Sequence, residues 1–470
     1  MLEILETMVA KKMRNSFLVI ILLFSFIDLK ADTLDFNTYL QNVIENNPIS
    51  DQATLEQEKN IAKYLKSKGY FDPKLKIDND NKFFDGKNYY NITKAGLEIP
   101  SWFGLSFFGD YSYTNGTYLN PENFLPDDGL FNAGLEVNLG KGLIIDERRM
   151  MLYQGRNFRE MATWKKFKVL NELILNAKVI YHNWNYNYEF TKLIEEGIGL
   201  ANVKHDGTKE KFFSGDTPAI DTVETFIQLQ KRQSELLESQ NLLRKSAVDI
   251  ANITWIDGVE NSSPPTYLNG DSFKDIVDEN LLATEDINNP NINLIGLDIQ
   301  NKEIERDFKR ENLKPELALQ YNVLNDPMSP DPFISDIPVN YKWNLNFSLP
   351  IFLRKERGDL NVTKAELNSM NLELDVQKRN LENKIRQLRI SLDILAEQIK
   401  VNEEVVSNFN ELLKAEIIKF NAGESSVLIV NIRENYYLDS KLKLLDLKKK
   451  YLINFAELEY YIGNSALAFE

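Results

Sequence analysis

Cysteine is absent from the 470 residues, and histidine occurs only at His182 and His205. The chain therefore has no disulfides, thiolate metal sites, cysteine nucleophiles or cysteine-linked lipid anchor. Two histidines do not supply a multi-histidine metal centre, so we expect no metal and no cofactor. The phosphate-binding loop, the zinc-protease motif and the serine nucleophile motif are missing as well. The sequence predicts that the protein is not an enzyme.

Positive charge is in deficit, with a formal net charge of −15 and a sequence pI near 5.0. Such an acidic chain is poorly suited to neutralising phosphates, so nucleic acid is not an expected partner. After residue 27 no apolar run reaches the ~18 residues that a membrane helix needs, which excludes a helical membrane protein. Hydrophobic residues, at 43%, suffice for a packed core.

The N-terminal segment 1–31 has the pattern of an export signal. Three basic residues precede an apolar run over 17–27, and Ala31 follows. This order predicts a secretory signal peptide over 1–31, with Met8 or Met13 as alternative starts. The alternative is an N-terminal membrane anchor, for which the apolar run is short.

The two halves of the chain repeat one plan. Asn-Asn-Pro at 46–48 is followed by Pro73, and Asn-Asn-Pro at 288–290 is followed at the same distance by Pro315. A Phe-x-x-Gly turn ends at Gly215 in the first half and at Gly423 in the second. A heptad seam begins at the same distance after each glycine. The seams are Leu229, Leu236, Leu243 and Ile250, and Tyr437, Leu444, Tyr451 and Leu458. We interpret this as an internal duplication.

The duplication predicts a domain plan. The first repeat covers 32–255, with strands at about 73–139 and a turn at 212–217. A linker or equatorial segment covers 256–289. The second repeat covers 290–470, with strands at about 316–349 and a turn at 420–426. Helices are predicted at 48–69, 145–211, 217–255, 290–312, 359–419 and 426–462, the first and fourth starting at an Asn-Pro pair.

Strict alternation of apolar and polar residues marks the segments 131–139 and 341–349. Alternation over about nine residues is typical of a transmembrane β-barrel wall, and also of a half-buried sheet in a soluble sandwich. The long helices separate these alternatives. At 1.5 Å per residue the helix over 145–211 would span about 100 Å, nearly the summed length of the two shorter helices of its repeat. Because one long helix matches two shorter helices in length, the pattern favours a hollow cylinder of packed helices over a soluble coiled-coil dimer.

These motifs together resemble the TolC-like outer-membrane efflux and secretion channels, over essentially the whole mature chain. The resemblance rests on the Asn-Pro helix starts, the strand exit Leu349-Pro350-Ile351-Phe352 with the basic segment 354–358, and the turns at 213–221 and 420–426. It implies an α+β membrane protein with two internal structural repeats. A trimeric outer-membrane β-barrel would continue into a long periplasmic α-helical barrel. The implied partners are two further copies in a homotrimer, a periplasmic adaptor (membrane fusion) protein, an inner-membrane transporter and outer-membrane lipid.

The resemblance also assigns site residues. We expect Gly215 and Gly423 to end long helices in left-handed caps. The turns that would meet the adaptor contain Gly215, Asp216, Thr217, Gly423, Glu424, Ser425 and Ser426. Asp221 matches a position where family members often carry an acidic residue that rings the tunnel constriction. The alternative is a carboxylate that complements a helix N-terminus. Its counterpart is Ile429, so we expect Ile429 and Val430 to hold the tunnel shut by apolar contact.

The first half departs from the family pattern by an additional segment before its return strand. This segment includes two alternating stretches, 89–99 and 105–113. One interpretation is an additional barrel hairpin, giving six strands per subunit in place of four. The other is a folded loop outside the membrane.

The leading functional hypothesis is a passive exit duct in the outer membrane, extending into the periplasm and serving a tripartite efflux or type I secretion system. A non-conducting periplasmic or surface coiled-coil protein is the alternative. A barrel-embedded hydrolase ranks third, because neither histidine lies within the predicted strands.

Overall fold

The computed structural model describes residues 35–256, 287–326 and 340–463. The expected signal peptide over 1–31 lies outside the described residues, as does nearly all of the expected linker over 256–289.

Seven α-helices lie in the described ranges. They are α1 (Phe36–Asn46), α2 (Pro48–Lys68), α3 (Glu147–Phe213), α4 (Ala219–Thr254), α5 (Pro290–Glu311), α6 (Arg354–Asn421) and α7 (Val427–Ile462). All six predicted helices are confirmed, with ends within about five residues, and α1 was not predicted. Helices α3 and α6 contain 67 and 68 residues, and α4 and α7 contain 36 each. None of the described helices carries an apolar stretch able to cross a bilayer.

The Asn-Pro pairs start two helices in the same way. The Asn47 side-chain oxygen accepts a hydrogen bond of 2.9 Å from the backbone N–H of Ile49, and its amide donates to the Ile253 carbonyl at 2.7 Å. Asn289 likewise accepts from the N–H of Asn291 at 2.9 Å and donates to the Tyr461 carbonyl at 3.0 Å. Each asparagine therefore caps the helix that it precedes and binds the last turn of another.

Six strands within the described ranges form one antiparallel sheet in the order β1-β2-β3-β4-β5-β6. They are β1 (Lys74–Phe84), β2 (Lys87–Pro100), β3 (Leu105–Asn115), β4 (Leu130–Asn138), β5 (Glu316–Asn325) and β6 (Tyr341–Ser348). The additional segment of the first half supplies β2 and β3, which pair along their length with each other and with β1 and β4. The first half thus adds a hairpin to the sheet, and the alternative of a separate folded loop is wrong.

The β1–β2 connection is a two-residue turn, Asp85-Gly86, with φ of +53° and +74°. Positive φ at both central residues defines the hairpin turn whose twist suits antiparallel strands, and Asp-Gly is a preferred pair for it.

The register places most of the large apolar residues of the six strands on one face, while Ile92, Phe108 and Leu324 lie on the other. For example, Leu135 of β4 lies between Phe107 of β3 and Tyr321 of β5, and Tyr321 lies opposite Trp343 of β6. This face includes Leu75, Ile77, Leu97, Ile99, Phe107, Tyr111, Phe131, Leu135, Leu319, Tyr321, Trp343, Leu345 and Phe347. The opposite face includes Lys76, Asp78, Lys94, Glu98, Asp110, Asn132, Glu136, Gln320, Asn322, Lys342, Asn344 and Asn346.

The chain forms two compact units. The first contains, among described residues, 35–50, 172–256 and 387–460. In its core Tyr39, Tyr181 and Ile250 are fully buried, and the Tyr39 hydroxyl donates to the Ala177 carbonyl at 3.0 Å. The second unit contains the sheet and a smaller core around Met161, Leu294 and Leu297.

Both heptad seams lie in the first unit, and none of their residues is exposed. Leu229, Ile250, Tyr451 and Leu458 are buried, while the other four are half-buried. The expected burial of these stripes is confirmed, and it comes from helix packing within one chain.

Candidate functional site

The two helical turns of the first unit share one hydrogen-bonding pattern. After α3, the N–H of Gly215 donates to the Phe212 carbonyl at 3.0 Å and that of Asp216 to the Lys211 carbonyl at 2.9 Å. After α6, Gly423 donates to Phe420 at 3.1 Å and Glu424 to Lys419 at 2.9 Å. Paired bonds of this kind define the Schellman helix end.

Both glycines adopt the left-handed conformation, with φ of +79° at Gly215 and +78° at Gly423. The expected left-handed caps are confirmed. A Cβ at either position would meet nothing within 4 Å. Glycine is therefore required here by the backbone angle and not by lack of space.

The two turns touch each other and are open to solvent. The Lys211 ammonium lies 4.4 Å from the centre of the Phe420 ring, a cation–π contact between them. Of the seven expected adaptor-contact residues, Gly215, Asp216, Gly423, Glu424 and Ser426 are exposed. Thr217 and Ser425 are half-buried.

The second turn is braced by a carboxylate. The Ser425 hydroxyl donates to Glu416 Oε1 at 2.6 Å, and Arg433 Nε lies 3.6 Å from Glu416 Oε2. In the first turn the residue equivalent to Glu416 is Thr208. The two turns thus share a backbone and differ in side-chain support.

Large apolar side chains surround the turns without being covered by the chain itself. Phe213 is 75% exposed, Ile220 is 72% exposed and Ile418 is 69% exposed. Large exposed apolar patches on a protein surface mark sites that contact another protein, a membrane or a ligand.

The three expected constriction residues differ in exposure. Asp221 lies half-buried in the first turn of α4, where a carboxylate is favoured by the helix N-terminus. Ile429 of α7 is 39% exposed, and its neighbour Val430 is 5% exposed. Successive helical residues point about 100° apart, so Ile429 faces outward and Val430 packs into the unit.

A buried polar cluster next to these residues was not predicted from the sequence. Lys204 Nζ of α3 donates to Asn431 Oδ1 of α7 at 2.6 Å and also to the Glu434 carboxylate. Asn431 in turn donates to Glu224 Oε1 of α4 at 3.3 Å. The Lys204 and Glu434 side chains are 15% and 7% exposed. The cluster therefore ties three helices together beside the turns.

Arg232 of α4 makes a second link to α7. Its guanidinium donates to Asn435 Oδ1 at 2.6 Å and to Glu235 Oε2 at 2.7 Å, and its side chain is 7% exposed. A signal for the Lys204 cluster was present in the sequence. Asn431 and Glu434 lie on the same buried side of the helix as Val430 and Leu438. Because a buried polar residue needs a hydrogen-bonding partner, their position among apolar residues predicts that each has one.

The comparisons with known proteins give a family match over part of the chain. Residues 281–464 match the family described as outer membrane efflux protein. No curated protein sequence matches the chain.

Solved structures match nearly the whole chain in fold. CusC aligns with a TM-score of 0.68 and 14% identity, covering 92% of each chain. The VceC outer membrane protein of Vibrio cholerae aligns with a TM-score of 0.65 and 12% identity, covering 91% of this chain and 95% of its own. The CmeC outer membrane channel of Campylobacter jejuni aligns with a TM-score of 0.63 and 14% identity, covering 91% and 85%.

These matches confirm that the chain resembles the TolC-like channels. The family match falls on the second half of the chain, whereas the structural matches extend over both halves.

Proposed function

We propose that this chain, which carries the outer membrane efflux pattern over residues 281–464, is the passive exit duct of a tripartite efflux or type I secretion system. Three copies share one β-barrel in the outer membrane, to which each contributes its sheet. Their helices form a tunnel in the periplasm. The duct carries small molecules or proteins outward, and an inner-membrane transporter supplies the energy.

The observation that carries this proposal is the division of the sheet into an apolar and a polar face. The division runs through all five strand pairings, and their one register shift, between Lys82 and Phe83, lies at the end of β1. On the apolar face, Trp343 is 59% exposed, Leu345 50% and Phe347 66%. A surface of this kind needs an apolar solvent, and a barrel wall with lipid outside and water inside meets both faces.

Aromatic side chains at both ends of the sheet support the same placement. At one end, in the β2–β3 turn, Trp102 is 69% exposed and Phe103 is 52% exposed. At the other end, beside the β1–β2 turn, Phe84 is 62% exposed and contacts Tyr89. Barrel walls carry aromatic girdles at the two membrane interfaces.

The repeated helix features support the two-repeat plan and the helical tunnel. The equal lengths of α4 and α7, the shared hydrogen-bonding pattern of the turns and the matching Asn-Pro caps recur in the same order in 32–255 and 290–470. Heptad stripes pack neighbouring helices as a left-handed coiled coil, which suits a wall of helices.

The exposed turns fit the contact with a periplasmic adaptor protein, with Gly215 and Gly423 shaping each tip. At the closed end, Asp221 contributes one carboxylate per subunit to a ring of three. Ile429 lines the same narrow segment, and Val430 packs behind it. The outer-membrane localisation follows from the barrel, and the adaptor and transporter follow from the tunnel end.

Extraction from membranes tests the duct against the alternative, a non-conducting periplasmic or surface coiled-coil protein. We expect the mature protein to stay in the membrane fraction after a carbonate wash, to dissolve only in detergent, and to scatter light there as a homotrimer. Release by carbonate would favour the coiled-coil alternative. A monodisperse monomer that conducts in bilayers would contradict the shared barrel.

A further inference from the structure

The two edges of the six-stranded sheet are open. Within the described residues β1 pairs only with β2, and β6 pairs only with β5. Every residue of β1 and of β6 is exposed. Each edge therefore presents a row of unpaired backbone N–H and C=O groups, which in a membrane must find partners.

The strand count allows the two edges to pair with each other in neighbouring copies. Six antiparallel strands place β1 and β6 in opposite directions. When copies follow one another head to tail, β6 of one copy is antiparallel to β1 of the next, like every other pair in the sheet. A head-to-tail contact that closes by rotation produces a ring.

The two faces restrict the register of this pairing. Because side chains alternate with period two, a shift of one residue would place apolar residues in the lumen. Tyr341, Trp343, Leu345 and Phe347 must therefore lie opposite odd-numbered residues of β1, such as Leu75 and Ile77. Only registers that differ by two residues remain.

The slant of the sheet selects among these registers. A line drawn across the paired residues starts at Lys74, the first residue of β1, and reaches β6 at Lys342, six residues before the strand ends. The residues on this line are Lys74, Glu98, Phe108, Gly134, Asn322 and Lys342. If Ser348 lies beside Lys74 of the next copy, six residues of rise over six strand spacings give a strand tilt of about 35°. Barrel strands tilt by about 35–45°, whereas a shift of four residues gives only about 25°.

Charge decides between this register and a shift of eight residues. In the register that places Ser348 beside Lys74, Lys342 lies opposite Asp80. A shift of eight residues would place Lys342 opposite Lys82, and like charges directly opposite each other destabilise a sheet.

We propose that β6 of each copy pairs with β1 of the next so that Leu345 faces Ile77 and Lys342 faces Asp80. This inference rests on the proposed trimeric duct. Three copies of a six-stranded sheet then close a barrel of eighteen strands. Barrel diameter grows roughly in proportion to strand number, so the barrel is about half again as wide as one built from four strands per subunit.

Disulfide trapping tests the register directly, because the chain has no cysteine of its own. Leu345→Cys is combined in turn with Leu75→Cys, Ile77→Cys or Asn79→Cys in the detergent-solubilised protein, which is then treated with a mild oxidant. Directly opposed residues have Cβ atoms about 4.5–5.5 Å apart, and diagonal ones about 7–8 Å. A disulfide needs roughly 3.5–4.5 Å.

The pair with Ile77→Cys should yield covalent dimers and trimers on denaturing gels, at several times the amount given by the other two pairs. Stronger linkage with Leu75→Cys or Asn79→Cys would overturn the register. Trimers that conduct but are not linked by any pair would overturn the edge pairing and leave the proposed duct intact. Monomers in detergent would instead overturn the duct itself.

A charge exchange gives a second readout that needs no cysteine. Lys342→Glu places a carboxylate opposite Asp80 and should lower the temperature at which the trimer separates on gels. Adding Asp80→Lys should restore that temperature. If the double variant separates no later than Lys342→Glu alone, the two residues do not face each other.

Discussion

A lysine on the apolar face of the sheet and a lysine on the polar face should affect membrane insertion very differently. Leu135 and Glu136 are neighbours in the middle of β4 and point to opposite faces. Leu135 is 37% exposed and lies between Phe107 and Tyr321. Because neither residue belongs to a buried core, the two substitutions form a matched pair.

The expected cost follows from the medium that each face meets. Lysine on the lipid face of a barrel costs about 2–4 kcal/mol at the bilayer midplane. Three subunits multiply this to roughly 6–12 kcal/mol per trimer. Leu135→Lys should therefore largely prevent insertion. Glu136→Lys keeps a charged group in a water-filled lumen, so insertion should remain close to that of the unmodified protein.

Folding into lipid vesicles, followed as the fraction of trimer that resists denaturation on gels, measures insertion for both variants. Glu136→Lys should also shift the reversal potential under a salt gradient toward anions, because it changes the lumen charge by two units per subunit. Equal insertion of the two variants would refute the assignment of the faces. Loss of insertion with Glu136→Lys alone would reverse it.

Further predictions concern the first unit. Lys204→Met leaves the Glu434 carboxylate buried without its cation, which should cost about 3–5 kcal/mol in the free energy of unfolding. The double variant Lys204→Met with Glu434→Leu should recover most of this loss in thermal melts. If it recovers none, the two residues are not coupled. Burial, reinforced by a nearby lysine, lowers the pKa of His182 to about 3. Below about pH 6.5 this histidine therefore takes up a proton in the unfolded chain but not in the folded one. Moving from pH 7 to pH 5 should remove about 2 kcal/mol from the free energy of unfolding, measured in urea titrations. His182→Gln should not show this loss. In single-channel recordings, Asp221→Asn should reduce the cation preference with little change in open time, because three carboxylates in a wet pore repel by only about 1 kcal/mol per pair or less. Ile429→Asp should increase the open time, since it removes the apolar contact; an unchanged reversal potential in Asp221→Asn would make that residue a helix-start carboxylate alone.

The sequence was most informative about the helices and their ends. Asparagine followed by proline, and glycine after a long proline-free stretch, each have one dominant local conformation, so the starts at Pro48 and Pro290 and the caps at Gly215 and Gly423 could be predicted. Helix α1 was missed although Phe36, Tyr39, Leu40 and Val43 have the spacing of one helical face, because a pattern over only 11 residues is short. This face packs on α3 and α4.

The sheet could be predicted only in part. Alternation identified β2, β3, β4 and β6, but it does not reveal which strands pair, so a six-stranded sheet and a separate loop remained equal alternatives. Strand β1 carries Asn79 and Asn81 on its apolar face and lacks a clear alternating pattern. The Asp85-Gly86 turn that follows it was the available signal.

The polar cluster at Lys204 could not be derived, because its partners come from helices about 230 residues apart in sequence. Local periodicity identifies a buried stripe but not the residue that faces it.

The most direct test of the duct is the electrical conductance of the purified mature protein in a planar lipid bilayer. We predict discrete, long-lived conductance steps from a protein that behaves as a trimer in detergent, with a larger step in Ile429→Asp than in the unmodified chain. A trimer that inserts into the same bilayers and conducts no ions, with Ile429→Asp equally silent, would contradict the proposed function.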